Sequence, residues 1–434
     1  MQPSPYRPGE LADSLPGRER LLLQADERLS RMCDLGRLVG RAQVFTAARG
    51  FGKTSLLRAI QRRAEARGAV TAWVTAGEEH GLVPALGDAV REATRDWREV
   101  GRLLPAIEQA KISFNLGVTS AEATLRRPDT AGQSGARALE ALVREVVAAG
   151  KGDDRRAVVL FVDEIQAADH AGLRTLAYAW QHLQAEGLDV PAGIFAAGLP
   201  DSAQVIIEAV SSSERFAYLD LDPLTPTAVV QALTDTARPL GVSWDPGGLE
   251  AAVEAAAGYP FTVQLIGEHA WQVADYPDAG GTITEAHAAQ ACELALEEMT
   301  RLVEGRYSKA TPAEREFMMA MAQLGDGPVR RGDVVAALSV TSTQVSKQRD
   351  SLLKQGLIRA TAYGSVEFTI PGMAAYLRRR SEAGPRPQGW GFTPSGPGPE
   401  ELGRVRRDSD ASALGDRPSP GPGRGGGQDL GNER

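Results

Sequence analysis

The stretch Val44–Ile60, VFTAARGFGKTSLLRAI, constrains the fold more than any other part of the chain, because an apolar run leads through a glycine-rich turn into a helical pattern. A loop that binds the phosphates of a nucleoside triphosphate requires this order of strand, turn and helix. Backbone N–H groups of the turn must converge on phosphate oxygens, and the amino end of the helix must face the anion. The stretch therefore predicts a phosphate-binding loop, and a glycine-rich turn that binds nothing is the open alternative.

The residues of this turn have distinct expected parts in holding a nucleotide. Gly50 and Gly52 permit close approach of the backbone to phosphate. Lys53 supplies an ammonium group for the β and γ phosphates, and Thr54 supplies a hydroxyl for Mg²⁺. Ala47 departs from the usual pattern, which has glycine there, but alanine is acceptable where φ is negative. The turn residues predicted to contact the nucleotide are Ala47, Arg49, Gly50, Phe51, Gly52, Lys53, Thr54 and Ser55.

A second motif places two acids directly after an apolar run. Ala157–Val162 reads as a buried central strand, and Asp163 and Glu164 follow it. We expect Asp163 to bind Mg²⁺ together with Thr54, and Glu164 to accept a proton from the attacking water or to orient it. An apolar strand that simply ends in two acids is the alternative, but the two motifs in this order indicate a catalytic site with Glu164 and Lys53 as its central residues.

Short apolar runs alternate with amphipathic stretches as far as about Asp222, which predicts an α/β fold with a parallel sheet covered by helices on both faces. An insertion, 98–135, interrupts this pattern. Its residues Ile112, Phe114, Leu116 and Val118 alternate with other residues and indicate an added strand or hairpin. Beyond Leu224 the pattern is purely helical.

Composition and these patterns together give the predicted domain boundaries. The chain has 434 residues, 42% of them hydrophobic, with a net charge of -8, two cysteines without metal-ligand spacing, and neither a membrane-spanning apolar run nor a signal-peptide pattern. We expect a cytoplasmic protein that does not enter a membrane. The predicted segments are an extended arm (1–16), a nucleotide-binding core (17–223), a helical lid (224–304), a winged helix-turn-helix domain (305–382) and a disordered Gly- and Pro-rich tail (383–434).

The segment 306–380 is basic, with twelve Lys and Arg against six Asp and Glu. Its pattern of three helices and two strands predicts the winged helix, in which Ser342 or Thr343 caps the helix that would contact DNA. The cations expected on duplex DNA are Lys347, Arg349 and Lys354, with Arg330 and Arg331 nearby. Winged helices also bind proteins, so a protein partner is the alternative.

These motifs resemble the AAA+ and STAND branch of P-loop ATPases, in particular the origin-recognition-type AAA proteins. The resemblance covers about Pro5 to Arg380 and rests on Ala47–Thr54, on Val158–Glu164 and on the element Gly17-Arg18-Glu19 before the first strand. It implies that the chain is an ATP-binding ATPase that uses Mg²⁺. It further implies that the Gly-Arg-Glu element, including Arg18, seats the adenine.

The resemblance also assigns expectations to residues outside the two motifs. Arg215, before the last strand, matches the arginine finger that AAA+ proteins offer to a neighbouring subunit, which implies a homo-oligomer. Pro260, in GYPFTVQLIG, matches the lid element near the base and ribose. The strand end GIFAAGLPD has Ala or Gly where the family usually has a polar residue. Hydrolysis is therefore expected to be slow, or another side chain must position the water.

Two functions remain open at this point. The first is a nucleotide-dependent switch that engages duplex DNA through the winged helix. The second is a signalling scaffold with little turnover, in which nucleotide exchange exposes the insertion or the winged helix to a protein partner. A metabolic kinase is disfavoured, because nothing in the sequence resembles a pocket for a phosphoryl acceptor.

Overall fold

Five parallel strands form the central sheet, and they are β1 (Ala42–Thr46), β2 (Ala69–Thr75), β3 (Ala157–Asp163), β4 (Ala192–Gly198) and β5 (Phe216–Asp220). Their order in the sheet is β2-β3-β4-β1-β5, and all neighbouring pairs are parallel. The computed structural model describes residues 1–77, 81–119, 128–210, 213–361 and 364–382; the side chains of 114–134 and 213 are not included. The strand order places the end of β4 between the ends of β1 and β3.

Helices cover both faces of this sheet, as the alternating sequence pattern predicts. They are α1 (Glu19–Cys33), α2 (Lys53–Ala66), α3 (Leu82–Thr94), α4 (Val100–Thr119), α5 (Pro128–Gly150), α6 (His170–Glu186) and α7 (Ser202–Ala209). Successive strand residues belong to opposite hydrophobic clusters. Phe45 and Phe161 lie in the cluster shared with α1 and α2, whereas Val44 and Leu160 lie in the cluster shared with α3, α5 and α6. Burial on both faces explains why the strands are continuous apolar runs.

The prediction of an added strand in the insertion is wrong. Residues Ile112, Phe114, Leu116 and Val118 belong to the helix α4. Leu103, Ile107 and Ala110 of this helix are fully buried. They recur every three to four residues, which is the helical period, and so place one face of α4 against the neighbouring helices. This longer apolar stripe outweighs the short alternation that follows it.

The lid contains α8 (Pro226–Ala237), α9 (Pro246–Ala256), α10 (Pro260–Val273) and α11 (Glu285–Lys309), with the short parallel pair β6 (Ser243–Trp244) and β7 (Thr282–Ile283). Thr225 and Thr284 cap α8 and α11 by accepting hydrogen bonds from backbone N–H groups. Proline occupies the first turn of α8, α9 and α10, where its missing N–H costs nothing.

The amino-terminal arm, residues 1–16, is firmly packed against the lid, which the sequence reasoning did not anticipate. Tyr6 is 1% exposed and makes edge-to-face contacts with Trp244 and Trp271 of the lid. Its hydroxyl donates to the Leu233 carbonyl at 2.6 Å and accepts from the Trp244 indole N–H at 2.9 Å. A β-carbon at position 267 would lie 2.3 Å from the Tyr6 ring, so Gly267 leaves the space that the ring fills. Burial of one such aromatic ring contributes roughly 1.5–3 kcal/mol.

The carboxyl-terminal module has the arrangement of a winged helix. It consists of α12 (Pro312–Leu324), β8 (Val329–Arg330), α13 (Arg331–Leu338), α14 (Ser342–Lys354), β9 (Ile358–Ala360), β10 (Ser365–Phe368) and α15 (Met373–Glu382). The strands form an antiparallel sheet in the order β8-β10-β9. Residues 362–363, between β9 and β10, lie outside the described residues, as does the predicted tail 383–434.

The predicted cap of α14 needs correction. Thr341, rather than Ser342 or Thr343, precedes the helix and accepts from the Gln344 backbone N–H. Gln344 accepts in turn from the Thr341 backbone N–H at 3.1 Å, which completes a capping box. The glutamine three residues after Thr341 therefore decides where the helix begins.

In the part of the chain that the structure describes, no helix is long and apolar enough to span a membrane.

Candidate nucleotide site

The phosphate loop spans the six residues between the end of β1 and the start of α2. Gly50 and Gly52 have φ of +84° and +81°, a region that other residues rarely adopt. A β-carbon at position 50 would also lie 2.2 Å from the Tyr259 hydroxyl oxygen. Ala47 is not among the residues with positive φ, and its N–H donates to the Gly198 carbonyl at 3.2 Å. Alanine therefore fits at this position without backbone strain.

Lys53 is the first residue of α2 and lies almost entirely inside the protein. Its Nζ donates to the carbonyl oxygens of Ala47 and Ala48, at 2.9 and 3.0 Å. Burial lowers the pKa of Lys53 to about 8, although the carboxylates of Glu164 and Asp163 oppose this shift. A buried ammonium group whose positive form is destabilised in this way is well suited to bind an added anion.

Thr54 and Asp163 meet at the carboxyl edge of the sheet. The Thr54 hydroxyl donates to Oδ2 of Asp163 at 2.8 Å, and the Glu164 N–H donates to Oδ1 at 3.0 Å. Burial raises the pKa of Asp163, and these two hydrogen bonds oppose the shift.

The donor set at this edge fits Mg²⁺. In the described part of the chain, no group of three or more His, Cys, Asp or Glu could hold a metal ion by itself. Mg²⁺ in nucleotide sites is typically held by one or two carboxylates together with substrate phosphates. One buried carboxylate beside one hydroxyl is therefore a suitable half-site for Mg²⁺ that arrives with phosphate.

Glu164 follows Asp163 in a left-handed conformation with a φ of +51°. Its carboxylate accepts a hydrogen bond from Nε2 of Gln166. Positive φ is uncommon for a residue other than glycine and is frequent at functional sites.

A cavity of about 890 Å³ joins the phosphate loop to Glu164, to the lid and to the amino-terminal arm. The lining includes the predicted residues Arg49, Gly50, Gly52, Lys53, Thr54, Ser55, Glu164 and Pro260. Neither Arg18 nor Phe51 is among the lining residues. Arg18 is 6% exposed, and burial lowers its pKa while Asp222 opposes the shift. Phe51 packs edge to face against Tyr259.

Sequence reasoning missed several residues of this cavity. Arm residues 9–13 line one side of it, and the Ala12 N–H donates to the Ser55 hydroxyl at 3.2 Å. The Tyr259 hydroxyl donates to the Arg49 carbonyl at 2.7 Å, and Arg306 of α11 also lines the cavity. The position of Tyr259 beside Pro260 is a local signal that could have found it. The arm and Arg306 have no such signal, because only the tertiary fold brings them here.

Arg215 lies at the amino ends of the parallel strands, whereas the phosphate loop lies at their carboxyl ends. It ends the short 3₁₀ turn Ser213–Arg215, directly before the first residue of β5. Lys53 and Glu164, in contrast, follow the last residues of β1 and β3. Since the strands are parallel, Arg215 is separated from the phosphate loop of its own chain by the length of a strand.

The cations predicted to contact DNA differ in their surroundings. Lys347 is exposed. Arg349 is partly buried, its Nη1 contacts Asp350 Oδ1 at 3.1 Å, and its buried Nε has no hydrogen-bond partner among the described residues. Burial raises the pKa of Asp201 in the core, and the positive charge of Lys354 opposes that shift. Lys354 is thus near the ATPase core, and a β-carbon at Gly356 would lie 3.5 Å from that of Ala48 in the phosphate loop.

Comparison with protein families finds two matches. Residues 14–190 match the AAA ATPase domain family, which confirms the prediction for the core. Residues 300–377 match a family described as a domain of unknown function (DUF8462). A search of the curated proteins finds no match.

Solved structures confirm the predicted fold class. The ORC2 protein of Aeropyrum pernix, solved in ADPNP-ADP complexes, has a TM-score of 0.54 at 14% identity, covering 87% of this chain and 97% of that one. The Walker-type ATPase PABY2304 of Pyrococcus abyssi has a TM-score of 0.53 at 16% identity, covering 87% and 99%. At such low identity the similarity concerns the fold, which is that of origin-recognition-type AAA proteins.

Proposed function

Because residues 14–190 form an AAA ATPase domain, we propose that this protein is an ATP-dependent switch whose carboxyl-terminal winged helix engages duplex DNA. The observation that carries the proposal is the meeting of Lys53, Thr54, Asp163 and Glu164 at one edge of the sheet. Nucleotide binding and hydrolysis at this edge would change the contacts of the loop with the lid and with the module.

Each of these four residues has a chemical role in the proposal. Lys53 binds the β and γ phosphates through its ammonium group, and the backbone N–H groups after Gly50 add further donors. Thr54 and Asp163 hold Mg²⁺, which neutralises charge on the phosphates when it is bound. Glu164 takes a proton from the attacking water or orients that water toward the γ phosphate.

Arg215 acts on a neighbouring subunit in this proposal. Its place at the opposite edge of the sheet from the loop supports action between subunits, since it does not approach the site of its own chain. A guanidinium group offered to the γ phosphate of a neighbour would stabilise charge in the transition state. The active form is accordingly a homo-oligomer, and the rate per protomer should rise with protein concentration.

Direct packing gives the nucleotide a route to the winged helix. Gly356, just after α14, lies against Ala48 of the phosphate loop, and Lys354 lies near Asp201 after β4. A loop that opens to admit phosphate would alter this contact. The exposed Lys347 on α14 would then contact DNA phosphates together with the neighbouring cations.

A second candidate function is a scaffold with little turnover, whose winged helix binds a protein. It is favoured by the surroundings of two of the three predicted DNA-contacting cations, because Arg349 contacts Asp350 and the positive charge of Lys354 is near the carboxylate of Asp201. Under this alternative, α14 carries too little free positive charge to bind duplex DNA strongly.

The test is the ATPase rate of the full chain, measured over a range of protein concentrations with and without duplex DNA. The switch predicts turnover per protomer that rises with concentration and changes when DNA is added, with the DNA effect lost as salt is raised. Arg215→Ala should abolish only the concentration-dependent part. The matched control Arg238→Ala removes an exposed arginine of the lid and should change nothing.

Three results would count against particular parts of the proposal. A rate per protomer that is independent of concentration removes the role of Arg215. An absence of DNA binding at low salt, with normal ATPase activity, favours the scaffold. An absence of ATP binding by the folded protein would contradict both proposed functions, the switch and the scaffold.

A further inference from the structure

The end of β4 lacks the polar side chain that the family usually has there, yet a side chain from elsewhere reaches the same place. After Glu164 the chain makes the short turn Ile165–Ala167, closed by the Ala167 N–H donating to the Glu164 carbonyl at 2.8 Å. This turn brings Gln166 back beside Glu164. Nε2 of Gln166 donates to Oε2 of the Glu164 carboxylate.

The other end of the Gln166 amide is held by the backbone after β4. Oε1 of Gln166 accepts from the Leu199 N–H at 2.9 Å. The Ser202 hydroxyl lies 3.5 Å from the same oxygen, but it donates its single proton to the Leu199 carbonyl at 2.6 Å. Gln166 is therefore fixed at both ends, between the strand end and the carboxylate.

Gly198, the last residue of β4, leaves the space that this bridge needs. A β-carbon at position 198 would lie 2.6 Å from Oε1 of Gln166 and 2.1 Å from Oγ of Ser202, which is closer than real β-carbons approach. A side chain at position 198 and the present position of Gln166 thus exclude each other. The Gly198 carbonyl also accepts from the Ala47 N–H at 3.2 Å, which ties the strand end to the phosphate loop.

We propose that Gln166 is the positioning residue for Glu164 and replaces, from a different element, the polar side chain missing at the end of β4. The inference rests on the proposed role of Glu164 as the group that handles the attacking water. The bridge occupies Oε2 of Glu164 and leaves Oε1 to accept from water. Glu164 lines the nucleotide cavity but Gln166 is not among its lining residues, so in this proposal Gln166 acts through the carboxylate.

The test compares steady-state turnover and ATP affinity in variants of the full chain. Gln166→Met keeps the length of the side chain without its hydrogen bonds, and Gln166→Asn keeps an amide that is too short to bridge. Because a misplacement of about 1 Å at a reacting group costs up to ~100-fold in rate, we expect kcat to fall roughly ten- to a hundredfold. Neither KM nor the Kd for ATP should change by more than about twofold, because the phosphate loop is untouched.

Ser202→Ala is the matched control, since it removes a neighbouring hydroxyl that does not contact Glu164. It should keep kcat near the wild-type value. Thermal unfolding of each variant separates a loss of positioning from a loss of fold, and at least one of the two Gln166 variants should unfold within a few degrees of the wild type.

A double-mutant cycle distinguishes positioning from a purely structural role. If Gln166 acts only through Glu164, adding Gln166→Met to Glu164→Gln should not reduce the residual rate further. An additive loss in the double variant, or a wild-type kcat in both Gln166 variants while Glu164→Gln is inactive, overturns the positioning role alone. Full turnover by Glu164→Gln overturns the proposed role of Glu164, and the present inference with it.

Discussion

The phosphate-loop edge of the sheet and the exposed face of α14 both carry charges that the sequence marks as functional, but the protein treats these charges differently. Lys53 and Asp163 are 6% and 5% exposed and are held by several hydrogen bonds. Lys347 and Lys354, in contrast, are exposed, although Lys354 influences the pKa of Asp201, and Arg349 contacts Asp350. Burial of the charges at the loop costs solvation free energy, whereas most of the charge on α14 remains in contact with water.

This difference shows that a buried charge is a stronger indication of function than an exposed one. Burying an ammonium group or a carboxylate destabilises a fold unless other groups compensate. The buried pair Lys53 and Asp163 therefore needs compensating partners, and the proposed binding of an anion together with a cation would supply them. An exposed lysine costs nothing and is compatible with DNA, with protein or with solvent alone.

The largest expected effect concerns the buried acid. Asp163→Asn removes the carboxylate proposed to hold Mg²⁺, and since metal binding supplies several kcal/mol of transition-state stabilisation, turnover should fall by about 10²–10³-fold. The measurement is ATPase rate as a function of Mg²⁺ concentration. Asp154→Asn, an exposed position with a φ of +56° that asparagine tolerates, is the control and should keep normal turnover. Normal activity of Asp163→Asn would show that its burial serves only the fold.

A second prediction examines a buried charge of the module. Glu314 is 4% exposed and accepts from the Ser351 hydroxyl, the Gln355 amide and the Thr311 N–H, so it ties α12 to α14. Glu314→Gln should lower the free energy of unfolding by about 1–3 kcal/mol, because these three donors lose an ionised acceptor. The measurement is urea unfolding at pH 7.

The same residue gives a dependence on pH. Burial alone would raise the pKa of Glu314, but the hydrogen bonds from Ser351, Thr311 and Gln355 outweigh burial and lower it. Its contribution to stability is therefore complete above the pKa of the unfolded chain and is lost as the pH falls through the folded value. The difference in stability between wild type and Glu314→Gln should shrink on acidification. A difference that is constant with pH would contradict ionic hydrogen bonding by Glu314.

A third prediction separates the exposed cations. If duplex DNA is the partner, Lys347→Ala should weaken binding severalfold and reduce the slope of log affinity against log salt by about 1. Lys354→Ala should have a smaller effect, because this side chain lies near Asp201. Binding isotherms at several salt concentrations provide the measurement. Equal effects of the two variants would mean that Lys354 leaves Asp201 when DNA binds.

The smallest expected effect is the uptake of part of a proton when ATP binds. Since burial holds the pKa of Lys53 at about 8, part of the lysine is neutral at pH 8.5, and a bound triphosphate should restore its charge. ATP binding at pH 8.5 should then take up a fraction of a proton, which calorimetry in buffers of different ionisation enthalpy can measure. The uptake should be much smaller at pH 7. Equal uptake at both pH values would mean that another group is responsible.

Much of the core could be predicted from sequence because its signals are local. Ala157–Val162 reads as a strand and lies in β3, and Gly50 and Gly52 have the positive φ that glycine permits. The sheet of apolar runs and the helix after Lys53 follow from patterns within twenty residues.

The features that could not be predicted depend on residues distant in sequence. Tyr6 is buried only because Trp244 and Trp271 surround it, and nothing in the first sixteen residues reveals that partner. The Gln166 bridge requires the backbone of Leu199, which lies 33 positions away. Both features escape sequence-based prediction for one reason. The role of such a polar or aromatic side chain depends on residues that only the tertiary fold brings near it.

The most direct test of the buried site is a paired measurement of ATP binding and turnover on two variants. Lys53→Ala should lose ATP binding in equilibrium titration, whereas Glu164→Gln should bind ATP with nearly wild-type affinity and fail to hydrolyse it. Lys151→Ala, an exposed lysine, serves as the control for the first variant. Unchanged affinity in Lys53→Ala, or normal turnover in Glu164→Gln, would contradict the assignment of this edge of the sheet as an ATP hydrolysis site.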